Sequence, residues 1–155
     1  MHELIEILKQ NKLSIGSCES LTAGLFASRM GDVSGASSVF KGAVVTYATS
    51  CKIDVVHVDV NIIEEYGVIS APCALDMARK ARTLLDVDIC VSCSGNAGPS
   101  TLEGKASGLV YCAVVSKENS EVFEFHFKGK RNEVRQSVVK EMINITKEFI
   151  QHKNG

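Results

Sequence analysis

The chain has 155 residues, 45% of them hydrophobic and 23% charged, with a formal net charge of −1. That balance fits one globular domain with a core of ordinary size and provides no basic footprint for nucleic acid. No apolar run reaches membrane-spanning length, and the opening Met1-His2-Glu3-Leu4-Ile5-Glu6 is too acidic and polar for a signal peptide, so a cytoplasmic protein is expected. Leu4, Ile5 and Leu8 recur at helical spacing and predict a short amphipathic helix over 2–11. A weak apolar/small alternation predicts a strand over 13–18, followed by a tight corner and a helix over 21–30 carrying Leu21, Leu25, Phe26 and Met30. Residues 32–37 read as a loop, and 39–48 as a strand in which Gly42 marks a bulge or a close backbone approach. Two short helices follow, around 50–57 and 60–66, the second stopped by Gly67. Ser70 then caps a helix over 71–85, with Pro72 tolerated in its first turn. Val87 to Cys93 is a near-continuous apolar strand, which predicts burial on both sheet faces. A loop from Ser94 to about Ser107 leads into a hairpin of 109–115 and 122–127 around Lys117-Glu118-Asn119-Ser120. The last helix covers about 130–151, with Val134, Val138, Met142, Ile145 and Phe149 on one stripe.

Alternating helices and strands with a late hairpin define an α/β layered domain on a mixed sheet, occupying 1–155 as one unit. Ligands in such folds sit beyond the strand C-termini, which here selects the loops 18–22, 47–52 and 94–106. The six cysteines, 18, 51, 73, 90, 93 and 112, fall mostly inside apolar or regular segments and read as small hydrophobes. Cys90 and Cys93 lie three apart on a strand, hence on opposite faces, and no further Cys or His pair completes a zinc set, so no metal is expected. Gly98 to Lys105 resembles a phosphate loop but carries Pro99 in place of its first glycine and Ala106 in place of its Ser or Thr. Ser137 and Lys140 match an S-x-x-K pattern without its S-D-N or K-T-G companions.

Three stretches carry candidate chemistry. Ser20, at a strand-to-helix corner, reads equally as an N-cap or as a nucleophile facing free amides that could serve an oxyanion. Lys52, just after the strand ending near Tyr47, reads either as a solvated helix residue or as a base whose amine burial keeps neutral. Gly95-Asn96-Ala97-Gly98-Pro99 is either a plain turn or a row of amides offered to an anion or sugar.

These stretches carry a resemblance. Glu19-Ser20-Leu21-Thr22-Ala23-Gly24 resembles the E-S-C-T-G-G of the CinA C-terminal domain family, the nicotinamide mononucleotide deamidases. Val45-Thr46-Tyr47 with Lys52 is similar to its V-T-Y-S-N-x-x-K, and Gly67 to Ser70 to its G-A-V-S. Ser94 to Pro99 is similar to T-G-I-A-G-P, and Gly129, Arg131 and Arg135 to its late G-[ND]-R-x-x-[VI]-R. The resemblance implies a three-layer α/β/α sandwich on a mixed, mostly parallel sheet with a late β-hairpin. It implies a metal-free and cofactor-free amidohydrolase converting nicotinamide mononucleotide to nicotinate mononucleotide and ammonia. By match, Ser20 is the nucleophile, Lys52 its base and Tyr47 a hydrogen-bonding partner of the pair. Arg131 and Arg135 bind the substrate phosphate, and Glu19, Leu21, Thr22, Gly95, Asn96, Ala97 and Gly98 lie against the substrate. The larger N-terminal domain often fused in that family has no counterpart in this sequence, which implies a stand-alone enzyme. The expected partner is a small nucleotide, with no nucleic acid or membrane, in a possible homo-oligomer. Leu21, Ala23, Thr49 and Asn96 depart from the family pattern, as does Lys105-Ala106-Ser107-Gly108 in place of K-P-V-G. This leaves a catalytically silent nucleotide-binding relative, or a purely structural module, as the alternatives.

Overall fold

The computed structural model describes residues 1–153, so the last two positions of the domain expected over 1–155 lie outside the described residues. Among the described residues the chain forms α1 (His2–Gln10), β1 (Ile15–Glu19), α2 (Leu25–Gly31), β2 (Phe40–Val45), α3 (Thr49–Asp54), α4 (Val60–Tyr66), α5 (Ala71–Leu85), β3 (Ile89–Gly95), β4 (Leu109–Val115), β5 (Ser120–His126) and α6 (Arg131–Lys153). A single 3₁₀ turn, Ala36–Ser38, interrupts the loop expected before β2. No helix among the described residues is long and apolar enough to cross a membrane.

The five strands lie in the order β2-β1-β3-β4-β5. β2, β1 and β3 run parallel, while β3–β4 and β4–β5 pair antiparallel. The mixed sheet and late hairpin are as expected, and the sheet is mostly parallel in strand direction: β2, β1, β3 and β5 run one way and β4 is reversed between β3 and β5. The β1–β2 register slips between Ile15 and Gly16, which pair with Phe40 and Gly42, so the irregularity read from Gly42 lies one residue earlier, at Lys41.

The alternation along the strands splits the core in two. Ile15, Ile89, Val91, Cys93, Val110, Cys112 and Val114 pack against α1, α2 and α6. Cys18, Cys90, Ala113 and Val115 pack against α5 on the other face. The sandwich therefore has three layers, and the apolar run in β3 is explained by burial on both sides. Small residues on the inner side of α5, Ala74, Ala78 and Ala81, let that helix approach closely enough for Ser92 Oγ to donate to Ala74 O at 2.6 Å. Ser70 caps α5 as expected, its Oγ accepting from the Cys73 amide at 3.2 Å.

Candidate active site

Three neighbouring parallel strands end at the same edge of the sheet, and the loops after them bring residues 20, 47–52 and 96 together. The corner after β1 is built around Glu19. Its wholly buried carboxylate accepts from the Thr22 hydroxyl at 2.7 Å, the Phe26 amide at 2.9 Å, the Ala27 amide at 3.1 Å and the Ser17 hydroxyl at 3.2 Å. A carboxylate at a helix N-terminus satisfies orphan donors and the macrodipole together. Ser20 is therefore not the N-cap: α2 begins at Leu25 rather than 21, after a left-handed turn at Ala23 (φ 50°) and Gly24 (φ 94°). In the first turn of α2 the Phe26 and Ala27 amides face Glu19 and the Leu25 amide donates to Thr22 O at 3.0 Å, which removes them as oxyanion donors. Glu19 and Thr22, expected against the substrate, hold the corner from inside, with Thr22 Oγ1 also 3.2 Å from Cys93 Sγ.

Freed from capping, Ser20 meets Lys52. The first turn of α3 carries Lys52 back under the corner, where it is 1% exposed. Its Nζ lies 2.6 Å from Thr46 O, 3.1 Å from Ser20 Oγ and 3.5 Å from Tyr47 O, with no carboxylate in salt-bridge range among the described residues. Burial lowers its pKa, whereas negative charge on Cys73, Cys18, Cys93 or Cys51 would raise it. Three of those thiols are themselves pushed up by burial, Cys18 to about 12 and Cys73 and Cys93 to about 11, so near neutral pH they carry no charge to oppose the shift. The Glu19 carboxylate is taken up by the amides of α2 rather than by Lys52.

Ser20 is 8% exposed and opens into a cavity of about 290 Å³ lined by Leu21, Tyr47, Gly95, Asn96, Ala97, Ser100, Leu102 and Arg131. Gly95 permits the close crossing of β3 and β4 at its rim: a Cβ there would lie 2.4 Å from Leu109 O. Asn96 lines the opening and also ties down the loop: its Nδ2 donates to Lys105 O at 3.1 Å, and its Oδ1 accepts from the Leu102 amide at 3.0 Å. Glu103 and Lys105 then dock that loop on the segment before α5. Glu103 accepts from the Val68 and Ile69 amides, and Lys105 Nζ donates to Ile69 O at 2.6 Å and Tyr66 O at 2.9 Å.

Tyr47 does not join Ser20 and Lys52 through its hydroxyl. Its side chain is 56% exposed, and its Oη accepts from Arg131 Nη2 at 2.7 Å. Arg131 Nη1 donates to Gly98 O at 2.9 Å, leaving the guanidinium at the cavity wall. Gly98 itself lines an adjoining cavity with Pro99, Ser107, Gly129 and Lys130. Arg135 faces elsewhere: its Nε donates to Leu21 O at 3.0 Å, its Nη2 to Thr22 O at 2.9 Å and its Nη1 to Asn132 Oδ1 at 3.1 Å. The sequence does not single out Ser100 and Leu102, although both lie in a loop selected as a ligand loop, nor the Thr46 carbonyl, whose part depends on Lys52 being buried. No cluster of metal-ligating side chains forms among the described residues.

Fold and site together define a three-layer α/β/α domain with a buried lysine–serine pair at the carboxyl edge of its parallel strands. Residues 1–150 match the CinA C-terminal domain family model, and the chain belongs to that family. It is 39% identical over 146 residues to a protein of Listeria welshimeri named as a competence-damage inducible protein, covering 94% of this chain and 35% of the relative. A protein of the same name from Lacticaseibacillus casei is 42% identical over 138 residues, 88% of this chain and 33% of the relative. The chain thus spans about a third of the length of these relatives. A CinA superfamily crystal structure from Klebsiella pneumoniae superposes with a TM-score of 0.93 at 25% identity, covering 97% of this chain and 98% of the other. A competence/damage inducible protein from Agrobacterium tumefaciens gives 0.89 at 27% identity, covering 93% and 89%.

Proposed function

We propose that this domain is an amidohydrolase that cleaves the carboxamide of nicotinamide mononucleotide by a Ser20–Lys52 mechanism. The observation that carries the reading is the buried Lys52 Nζ 3.1 Å from Ser20 Oγ. A neutral amine has two N–H donors and one lone pair. With the carbonyls of Thr46 and Tyr47 taking the donors, the lone pair is left for the Ser20 hydroxyl. Ser20 Oγ attacks the carboxamide carbon as its proton passes to Lys52 Nζ. The C–N bond then breaks, the ammonium proton goes to the departing nitrogen, and ammonia leaves an acyl-serine ester. Water, deprotonated by Lys52, cleaves that ester to the carboxylate and restores Ser20. The oxyanion falls to backbone amides, of which Leu21 and Ala97 line the cavity and have no hydrogen-bond acceptor among the described residues. Arg131 at the cavity wall meets the phosphate, and Tyr47 orients Arg131 rather than the lysine–serine pair.

The test is ammonia release from nicotinamide mononucleotide by the purified chain, with nicotinamide riboside and nicotinamide as controls and Ser20→Ala alongside. The reading expects turnover of the mononucleotide and loss of it in a folded Ser20→Ala protein. Tight mononucleotide binding without ammonia release would instead identify a catalytically silent relative.

A further inference from the structure

We propose that Arg135 is a positioning residue that fixes the peptide following the nucleophile, rather than a phosphate ligand; this rests on the Ser20–Lys52 reading. Nε and Nη2 form one edge of a planar guanidinium and project two parallel N–H bonds. Here that edge spans the consecutive carbonyls of Leu21 and Thr22, at 3.0 and 2.9 Å. Two successive carbonyls turned toward one side chain define a conformation that an extended chain does not adopt, and the left-handed residues Ala23 and Gly24 follow directly. The Ser20 carbonyl is held as well, accepting from the Ala23 amide at 3.0 Å. The peptide groups on either side of Leu21 are therefore both fixed. Among the corner amides, those of Ser20 and Thr22 act on Cys93 and that of Ala23 on Ser20 O. Leu21, the cavity-lining residue next to the nucleophile, keeps its amide unpaired among the described residues.

Glu19 braces the same turn through Thr22, Phe26 and Ala27. Glu19 belongs to the corner's own strand, whereas Arg135 brings α6 to it from 113 residues away. Arg131, one helical turn earlier, is the member of the pair that lines the cavity.

The experiment compares Arg135→Lys and Arg135→Ala with Arg131→Ala, using the mononucleotide and the riboside as substrates. A lysine keeps the charge but offers a single donor atom in place of the two parallel N–H bonds of the guanidinium edge, so it cannot hold both carbonyls in that planar geometry and kcat in Arg135→Lys should fall about 10²-fold, the scale of a misplaced reacting group. KM and the preference for the mononucleotide over the riboside should stay within twofold of wild type, and added methylguanidinium should recover part of the kcat lost in Arg135→Ala. The rate of Ser20 labelling by a fluorophosphonate should fall in parallel in Arg135→Lys. A wild-type kcat in folded Arg135→Lys overturns the inference. So does a loss that appears only as raised KM with a collapsed preference for the phosphorylated substrate, which would make Arg135 a phosphate ligand. If Arg135→Ala does not fold, Arg135→Lys and its labelling rate decide. Wild-type protein that neither releases ammonia nor labels at Ser20 contradicts the proposed function and this inference together. Wild-type protein that reacts, with an Arg135→Lys variant reacting equally, contradicts this inference alone.

Discussion

Replacing Glu19 by glutamine tests how the Ser20 corner is held. Oε1 accepts from the Thr22 hydroxyl and the Phe26 amide, and Oε2 from the Ala27 amide and the Ser17 hydroxyl. Whichever way a glutamine amide is turned, its NH₂ replaces one of these oxygens. A hydroxyl can rotate and accept from the new donor, but a backbone N–H cannot. One amide of α2, Phe26 or Ala27, is then left facing another donor in a fully buried site. A hydrogen bond to a charged group is worth about 1.5–3 kcal/mol, and an orphaned buried donor adds its own desolvation cost. The lost interaction of the carboxylate with the helix dipole contributes up to about 1 kcal/mol more. Glu19→Gln should therefore lose about 2–4 kcal/mol, a large part of the roughly 5–15 kcal/mol by which domains are stable. At about 2–4 °C per kcal/mol for a chain of this length, Tm should fall by about 4–16 °C. Urea denaturation monitored by circular dichroism gives the free energy, and a thermal scan gives Tm. A Glu19→Gln protein as stable as wild type, or more stable, would refute the corner's dependence on this carboxylate.

Lys52→Arg fixes a permanent charge and cannot present a lone pair near neutral pH, so kcat for ammonia release should fall by at least about 10²-fold; near-normal kcat would leave Lys52 as an electrostatic anchor only. Arg131→Ala should raise KM for the mononucleotide about 10- to 100-fold and shrink its preference over the riboside, the loss expected for one charge-assisted hydrogen bond; steady-state kinetics with both substrates checks this. Burial lowers the Lys52 pKa in the folded state, so between that value and the ordinary 10.5 the unfolded chain binds the extra proton and stability rises with pH. Below the folded pKa that slope disappears, and Lys52→Met should flatten it in urea titrations repeated across the alkaline range. Gly67→Ala should cost about 1–3 kcal/mol, because φ is 82° with ψ at 175° and the new Cβ would lie 2.4 Å from Glu103 Oε2, displacing the carboxylate from the Val68 and Ile69 amides; urea denaturation reads the loss.

The layered fold was legible because its signals are local: the apolar run of β3, the stripe along α6 and the serine cap of α5 each predict an element from neighbouring residues. The start of α2 was not. Ser20 has the residue type and position of an N-cap, but the acceptor in use is Glu19, which reaches across a left-handed turn that Ala23 gives no reason to expect. Lys52 was legible as a candidate through its match to the family motif, while its burial depends on α3 turning back beneath the corner. The two arginines looked equivalent, four apart at the start of one helix. Only the tertiary structure separates them, sending Arg131 to Tyr47 and the cavity wall and Arg135 to the carbonyls of Leu21 and Thr22. Tyr47 reads as the end of a buried strand, yet β2 stops at Val45 and its ring stands at the opening.

The central claim is that Lys52 presents a neutral amine to Ser20, and its own titration tests this most directly. Protein carrying ¹³Cε-labelled lysine, compared with Lys52→Arg to assign the signal, gives the Lys52 pKa by NMR while the pH dependence of kcat/KM is measured on the same sample. The Lys52 midpoint should lie below the ordinary 10.5, with kcat/KM rising along the same curve. A Lys52 signal that titrates at the ordinary 10.5, while turnover is already at its plateau near neutral pH, would contradict the claim.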